Sequence, residues 1–483
     1  MTKRSVLELN NVDIYGRRFN GYSLTEYINK NSDSYSAKFL VNHKYSKDKD
    51  VVEIFNNEDL TNFDWQIEPL EEKLCIKNQI SITEDALVSH PLYASADILH
   101  FHMYHNMHLP IEYLTRIKDK HIIIDIHDTF WLTDKNIPML EVFKYSDKNK
   151  DSLDSQRKRV LNSIDADFVV HSPFILNLFK KSDATKNLRV HLIPFGINTE
   201  IFKPAKVNRE KYQIPEDSFV IFCRSQKEFK GIDYIESALK ELKTDKDITI
   251  VTVGVKGLLD PIKNKFRLIE LGTIDTEEKL AEIYNLSDLF LAPSTEESFG
   301  FMAVEAMSTE KPVIVFNGTA LPDTVNAPTI GIATKRNVTE LRKAIEHLLN
   351  HPEEAKKRGK AGRTFVLKNY TEEKYFTSYL KLFDDISKKK LKTPEIVEDN
   401  APSNLKQLTA FLDGKEINEK FDFNNIEIQN EIKNYNTRLY SKILKRSHRI
   451  TPKKIIKKII KIVRKPAKIG VFVVFLYIFN AAV

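Results

Sequence analysis

The amino-acid sequence predicts an α/β protein of two successive open-sheet halves, followed by a basic helical tail. Three observations carry this. Short β-rich runs alternate with helical patterns from Ser5 to Ile193, the signature of βαβ units. The same alternation resumes after Pro194, Gly196 and Pro204, which punctuate the chain as a hinge would. A lysine-rich stretch then closes it. At 483 residues the chain is too long for one ordinary core, so two domains plus extras is the expectation.

In the first half the strands fall at Ser5–Leu9, Lys38–Val41, Ile98–His102, His121–Ile126, Phe168–His171 and Arg189–Ile193. Helical patterns at Leu24–Asn29 and Ser152–Ser163 lie between them. The second half has strands at Phe219–Cys223, Thr249–Val253, Arg267–Leu271, Leu289–Ala292 and Val313–Phe316. Helical patterns at Val338–Leu349 and Glu372–Lys388 follow. Parallel open sheets bind ligands at the carboxyl ends of their strands. Eight of the 14 glycines lie between Gly196 and Gly331, so close backbone approach to a ligand is expected in the second half.

Composition narrows the function class. The net charge is +7, yet Lys442–Lys468 alone carries twelve Lys/Arg and no Asp/Glu. The remainder is net acidic, which argues against a nucleic-acid-binding body. Two cysteines, Cys75 and Cys223, offer neither a disulfide framework nor a CxxC pair, as suits a reducing compartment. The opening MTKRSVLELNN lacks the apolar stretch of a secretory signal, so the main body is expected to be cytoplasmic.

The segment SDLFLAPSTEESFGFMAVEAMSTEKPVIVF (287–316) carries the chemistry. LFLA reads as a buried strand, PSTEESFG as a polar loop at its carboxyl end, and FMAVEAM as a helix start. The free N–H groups of a helix N-terminus suit phosphate or other anionic oxygens. Glu297 in the loop and Glu305 in the helix could both turn to that site and accept bonds from hydroxyls. A capping and an exposed helical glutamate would have the same spacing. The histidines of H-x-H-x-x-H-x-x-H (His100, His102, His105, His108) show no evident carboxylate or cysteine partner, so no metal site is expected.

The E-x7-E spacing, preceded by APS and followed by EAM and KPV, resembles the donor site of retaining glycosyltransferases of the GT-B fold, family four. IPFGINTEIFKP (193–204), FCRSQKEFKGIDYIESAL (222–239) and LGTIDTEEKLAEIYNLSDLFLAPS (271–294) resemble its hinge, cation-bearing and pre-donor segments. ADILHFHMYHN (96–106) and IIIDIHDTFWLT (122–133) resemble its first-half motifs. The resemblance implies two Rossmann-like domains facing across a cleft: an acceptor domain over 1–195 and a donor domain over 196–372. A helix over 373–390 would cross back, before a linker over 391–410 and a basic amphipathic and apolar tail over 411–483.

By the same resemblance, Glu297 binds hydroxyls of the donor sugar and Glu305 those of the ribose. The amides of Phe299, Gly300 and Phe301 face sugar or phosphate, with Gly300 leaving room for the ligand. Arg224 and Lys230 hold the diphosphate, and the backbone from Gly272 to Ile274 meets the base. His127 lies beside the transferring sugar, with Asp128, Trp131 and Thr133 repeating the motif around it. The usual Gly-Gly loop after the first strand is replaced by VDIYGRRFNGYSLTEYI, where Gly16 and Gly21 could turn the chain and the Gly21 amide could reach the diphosphate. The implied reaction is sugar transfer with retention, without cofactor or metal. A non-catalytic subunit partnering another transferase, or a nucleotide-sugar epimerase, would carry similar motifs.

In the tail, Ile455, Ile456, Ile459, Ile460 and Val463 recur at helical spacing, with Lys453, Lys454, Lys457, Lys458 and Lys461 on the other face. That pattern suits the surface of an anionic membrane. The apolar run Ile469–Phe479 is too short for a span of about 20 residues. The expectation is a peripheral enzyme on the inner face of the cell membrane, acting on a lipid-linked or growing surface glycan.

Overall fold

The computed structural model describes residues 3–14, 16–56, 58–67, 71, 79–132, 150–391 and 426–447. It divides into two compact units. Of the described residues, those up to Val169, Leu178–His191 and those from Leu380 onward belong to the first, and Val170–Asn177 with Leu192–Tyr379 to the second.

The first unit is built on a seven-stranded sheet in the order β3-β2-β1-β4-β5-β6-β7. Its strands are β1 (Arg4–Val12), β2 (Tyr35–His43), β3 (Val51–Glu53), β4 (Ile98–Phe101), β5 (His121–Ile126), β6 (Ala166–Val170) and β7 (Arg189–Leu192). β1 pairs in parallel with both β2 and β4, and it is buried from Val6 to Val12. A strand covered on both faces needs such runs. Helix α1 (Tyr22–Asn31) turns Tyr22, Leu24, Thr25 and Ile28 inward, the spacing of one helical face. Helix α2 (Lys150–Ser163) precedes β6.

The second unit repeats the plan with six strands in the order β10-β9-β8-β11-β12-β13. These are β8 (Phe219–Ser225), β9 (Ile248–Gly254), β10 (Arg267–Glu270), β11 (Leu289–Ala292), β12 (Val313–Phe316) and β13 (Ile332–Thr334), all paired in parallel. Its longer helices are α3 (Ile232–Glu241), α4 (Glu277–Leu286), α5 (Phe301–Ser308), α6 (Val338–Asn350), α7 (Pro352–Asn369) and α8 (Glu372–Ile386). α3 buries Ile232, Ile235, Ala238 and Leu239 on the sheet. Truncating a buried isoleucine such as Ile235 to alanine would cost about 2–5 kcal/mol. Thr276 and Asn337 cap α4 and α6 by accepting from Lys279 N and Glu340 N.

Every strand expected from the sequence is present. The three-residue edge strands β3 and β13 were not expected, nor was α7. α7 escapes apolar periodicity because Ala355, Gly359, Gly362 and Val366 form its buried face. A Cβ at Gly359 would fall 2.0 Å from Glu310 O, so this helix packs by being small rather than greasy.

The chain re-enters the first unit within α8, where Asp384 accepts a 2.8 Å bond from the Tyr35 hydroxyl. Helix α9 (Ile426–Ser447) then docks on that unit. It buries Gln429, Ile432 and Asn436, so part of the expected tail is a packed element. Residues 392–425, including nearly all of the expected linker, and the tail lysines Lys453, Lys454, Lys457, Lys458 and Lys461 lie outside the described residues. Among the described residues, no helix is long and apolar enough to cross a membrane.

Candidate functional site

In both sheets the strand order reverses beside the first strand of the unit, between β1 and β4 and between β8 and β11. Such switch points open a crevice at the carboxyl ends of the strands. Most of the residues selected from the sequence lie on or just after the strands beside these two points, while Gly272 and Ile274 follow the edge strand β10.

In the second unit, Arg224 is the penultimate residue of β8, and Lys230 follows on a short 3-10 turn ending at Gly231. Gly231 has φ +74°, and a Cβ there would fall 2.1 Å from Pro293 O. No side chain fits, and the β8 loop is thereby pressed against the β11 loop. Thr295 N donates to Phe229 O at 2.7 Å and ties the same two loops. The result is an ion pair between Lys230 Nζ and Glu297 Oε2 at 2.7 Å. Burial pushes the Arg224 guanidinium down from its ordinary pKa, while Glu297, Tyr284 and Glu305 push back. Arg336, on the loop after β13, donates to Thr295 O.

Gly300 caps α5 in the left-handed region, at φ +98°. A Cβ here would lie 2.3 Å from Leu321 Cδ2. Leu321 thus occupies the space beside Gly300 that a side chain there would take. Phe299 is a core residue against Phe195 and Tyr370, and its carbonyl accepts from Thr324 Oγ1 at 2.7 Å. Phe301 is half-buried, 4.9 Å ring to ring from Phe195. Glu305 is fully buried, its Oε2 2.8 Å from the Tyr284 hydroxyl. Gly272 (φ +72°) accepts from Gly254 N at 2.9 Å and lies under the Lys256 side chain, two residues before the half-buried Ile274.

In the first unit, His127 follows β5, with its ring 5.5 Å from Phe19 and 6.2 Å from His102. Gly16 and Gly21 both adopt positive φ, as a tight loop requires. Gly21 heads α1, and its carbonyl accepts from Thr25 N and Oγ1, each at 2.9 Å. Asp128 is buried, which pushes its pKa up to about 7. Thr133 lies outside the described residues.

The histidine-rich segment does have carboxylate partners, contrary to the sequence reading. His100 and His102 meet Glu8 and Asp125, His105 meets Asp128, and His108 joins His43 on Asp64. Two sets, Glu8–His100–His102 and His102–Asp125–His127, bring ligand-type atoms within 4.8 Å of one another. Glu8, Asp125, Asp64, Tyr284 and Leu321 were not singled out from the sequence. The signal was there for Glu8 and Asp125, each a lone acid within a strand otherwise destined for burial.

Comparison with known proteins follows the same division. Residues 205–365 match the family model described as glycosyl transferases group 1. The chain is similar to the MMP alpha-(1->4)-mannosyltransferase of Mycolicibacterium hassiacum, at 27% identity over 36% of this chain and 43% of that protein. It thus spans about two fifths of that relative's length. Sucrose-phosphate synthase from Thermosynechococcus elongatus superimposes with a TM-score of 0.61 at 17% identity, over 80% of this chain and 99% of that one. Anabaena HepE in complex with UDP and glucose gives a TM-score of 0.57 at 15% identity, over 79% and 100%. The two-sheet α/β architecture is the GT-B fold of those structures.

Proposed function

We propose, from the premise that residues 205–365 match glycosyl transferases group 1, that the chain is a glycosyltransferase using a nucleotide-sugar donor. One observation carries the reading: Arg224, Lys230 and Glu297 converge at the β8/β11 switch point, with Lys230 and Glu297 paired at 2.7 Å. Two cations there suit a diphosphate, and a carboxylate between them and the α5 N-terminus suits sugar hydroxyls.

In this reading, Arg224 and Lys230 hold the diphosphate and stabilise the charge that grows on it as the bond to the sugar C1 breaks. The bonding electrons leave with the phosphate oxygen. The acceptor hydroxyl bonds to C1 from the same face, and its proton passes to that departing oxygen, so configuration is retained. Glu297 orients the donor sugar and is not a nucleophile. Glu305 is assigned to the ribose, the amides of Phe299, Gly300 and Phe301 and of Gly21 to sugar or phosphate, and the Gly272–Ile274 backbone to the base. His127 is assigned a contact to the transferring sugar. The cations take the place of a metal in this scheme. The acceptor is a hydroxyl of a lipid-linked or growing surface glycan, held at an anionic membrane face by the lysines from Lys453 to Lys461.

The test is transfer from a panel of nucleotide sugars, UDP-sugars first because the HepE neighbour holds UDP. Wild-type protein should release nucleoside diphosphate and form a glycoside, and Glu297→Ala should not. Sedimentation with anionic vesicles, with and without residues 448–483, tests the membrane part.

A further inference from the structure

Where β1, β4 and β5 run side by side, four ionisable side chains have essentially no exposed surface: Glu8, His100, His102 and Asp125. Strand register puts them together. Glu8 pairs with His100 and His100 with Ile123, so positions 8, 100, 102 and 125 point to one face of the sheet. His100 Nε2 lies 3.0 Å from Asp125 Oδ1, and its Nδ1 lies 2.8 Å from Glu8 Oε2. His102 Nε2 lies 2.6 Å from the same Glu8 oxygen, and its Nδ1 lies 3.1 Å from Asp125 Oδ2. Acids and imidazoles alternate around a closed ring. Burial opposes a charged His100, but Glu8 and Asp125 beside it push its pKa up to about 10. Burial likewise opposes charge on Glu8 and Asp125, yet the histidines hold both below the ordinary carboxylate range.

The ring is not isolated from the candidate site. A His127 ring nitrogen joins His102 and an Asp125 oxygen within 4.8 Å. On the α1 side, a Cβ at Gly21 would fall 2.8 Å from His102 Nε2 and 3.2 Å from Glu8 Cβ, so the head of α1 rests on the ring. Phe383 of α8 meets His100 edge-on at 6.1 Å. A divalent cation is a poor occupant. The two Nε2 atoms make their in-line bonds to different acids, and a cation would have to displace the protons of these bonds.

We propose that Glu8, His100, His102 and Asp125 form a closed ring of alternating acids and imidazoles that fixes the orientation of His127 and the seat of Gly21. Glu8, His102 and Asp125 are thereby positioning residues for the transfer reaction. This rests on the functional reading above, since it gives the ring a task in that reaction. A ring that served only stability would need no contact with His127.

The experiment uses the full chain with His102→Gln, Glu8→Gln and the double variant. His102→Gln should lower kcat by at least about tenfold with the donor KM within about twofold, as misplacing a group beside the reacting centre does. Each single variant unbalances the ring and should lower Tm, and the double variant should regain Tm without regaining kcat. Recovery of kcat together with Tm would overturn the proposal, as would an unchanged kcat in His102→Gln. So would a stoichiometric metal in the wild-type protein that His102→Gln removes. Should the variants not fold, 15N-histidine spectra of the wild-type chain decide: at least one imidazolium must persist untitrated to about pH 9, and none persisting overturns the ring. If the wild type transfers no sugar, the functional reading fails by itself, and the same spectra still judge the ring.

Discussion

Lys230 and Glu297 face each other across the gap between the β8 and β11 loops at 2.7 Å, with side-chain exposures of 20% and 19%. The pair is set by backbone, since Gly231 against Pro293 O leaves these loops little freedom. An anionic diphosphate would compete with Glu297 for the Lys230 ammonium and so free the carboxylate for hydroxyls. In the proposed reading, the resting ion pair holds both groups where a bound donor would need them.

Lys230→Ala should therefore weaken nucleoside diphosphate binding far more than nucleoside binding. Loss of one charge-assisted bond is worth about 1.5–3 kcal/mol, or roughly ten- to a hundredfold in Kd for UDP. Calorimetric titration with UDP and with uridine checks this. Equal weakening of both would mean that Lys230 supports the loop rather than the phosphates.

Gly300→Ala should destabilise the protein by about 1–3 kcal/mol, because the left-handed backbone and the Leu321 contact act together. The paired variant Gly300→Ala/Leu321→Ala separates them. It relieves the collision but keeps the strained φ of +98°. Thermal unfolding should show partial relief of the Gly300→Ala effect relative to Leu321→Ala alone. Complete relief would show that space alone demanded the glycine.

The strands and the loop from β11 to the start of α5 were legible because they are local signals. A β-rich run ending in a polar loop with Gly300 and a helix start needs no distant partner to be recognised. The ring of Glu8, His100, His102 and Asp125 was not legible, because its members come from three strands and meet only through sheet register. The histidines therefore looked partnerless. α7 was hidden for a different reason: its buried face is made of small residues, which carry no hydrophobic period. Leu321 was missed because its contact with Gly300 exists only once the loop after β12 folds back.

The buried ring predicts a two-sided dependence of stability on pH. His100 has its pKa raised from 6.5 to about 10, so its contribution is complete below the unfolded value and is lost as pH climbs from there through about 10. Glu8 and Asp125 have theirs lowered from 4.5 and 3.8, so their contribution is present above those values and is lost as pH falls below them. Stability from this source should be flat between these limits, at about pH 4.5 to 6.5. Denaturant titrations of wild type and the double variant Glu8→Gln/His102→Gln across pH test it. A double variant that keeps the full alkaline decline would place its origin elsewhere.

Asn436 tests whether α9 belongs to the fold of the first unit or merely lies on it. Its side chain accepts from Ser81 N at 3.1 Å and donates to Gln79 O at 2.9 Å, bridging α9 to an irregular segment of that unit. Asn436→Ala leaves both backbone groups buried without these partners, at about 1–3 kcal/mol. Alanine is a better helix former than asparagine, so the helix itself should not melt. The expected outcome is faster amide exchange through residues 79–88 together with α9, while β8–β13 exchange as in the wild type. Unchanged exchange in both segments would mean that Ile432 and Gln429 hold the helix without help. Faster exchange confined to α9 would mean that Gln79 and Ser81 are held by their own neighbours, among them Glu71, whose carboxylate accepts from Gln79 N and Ile80 N.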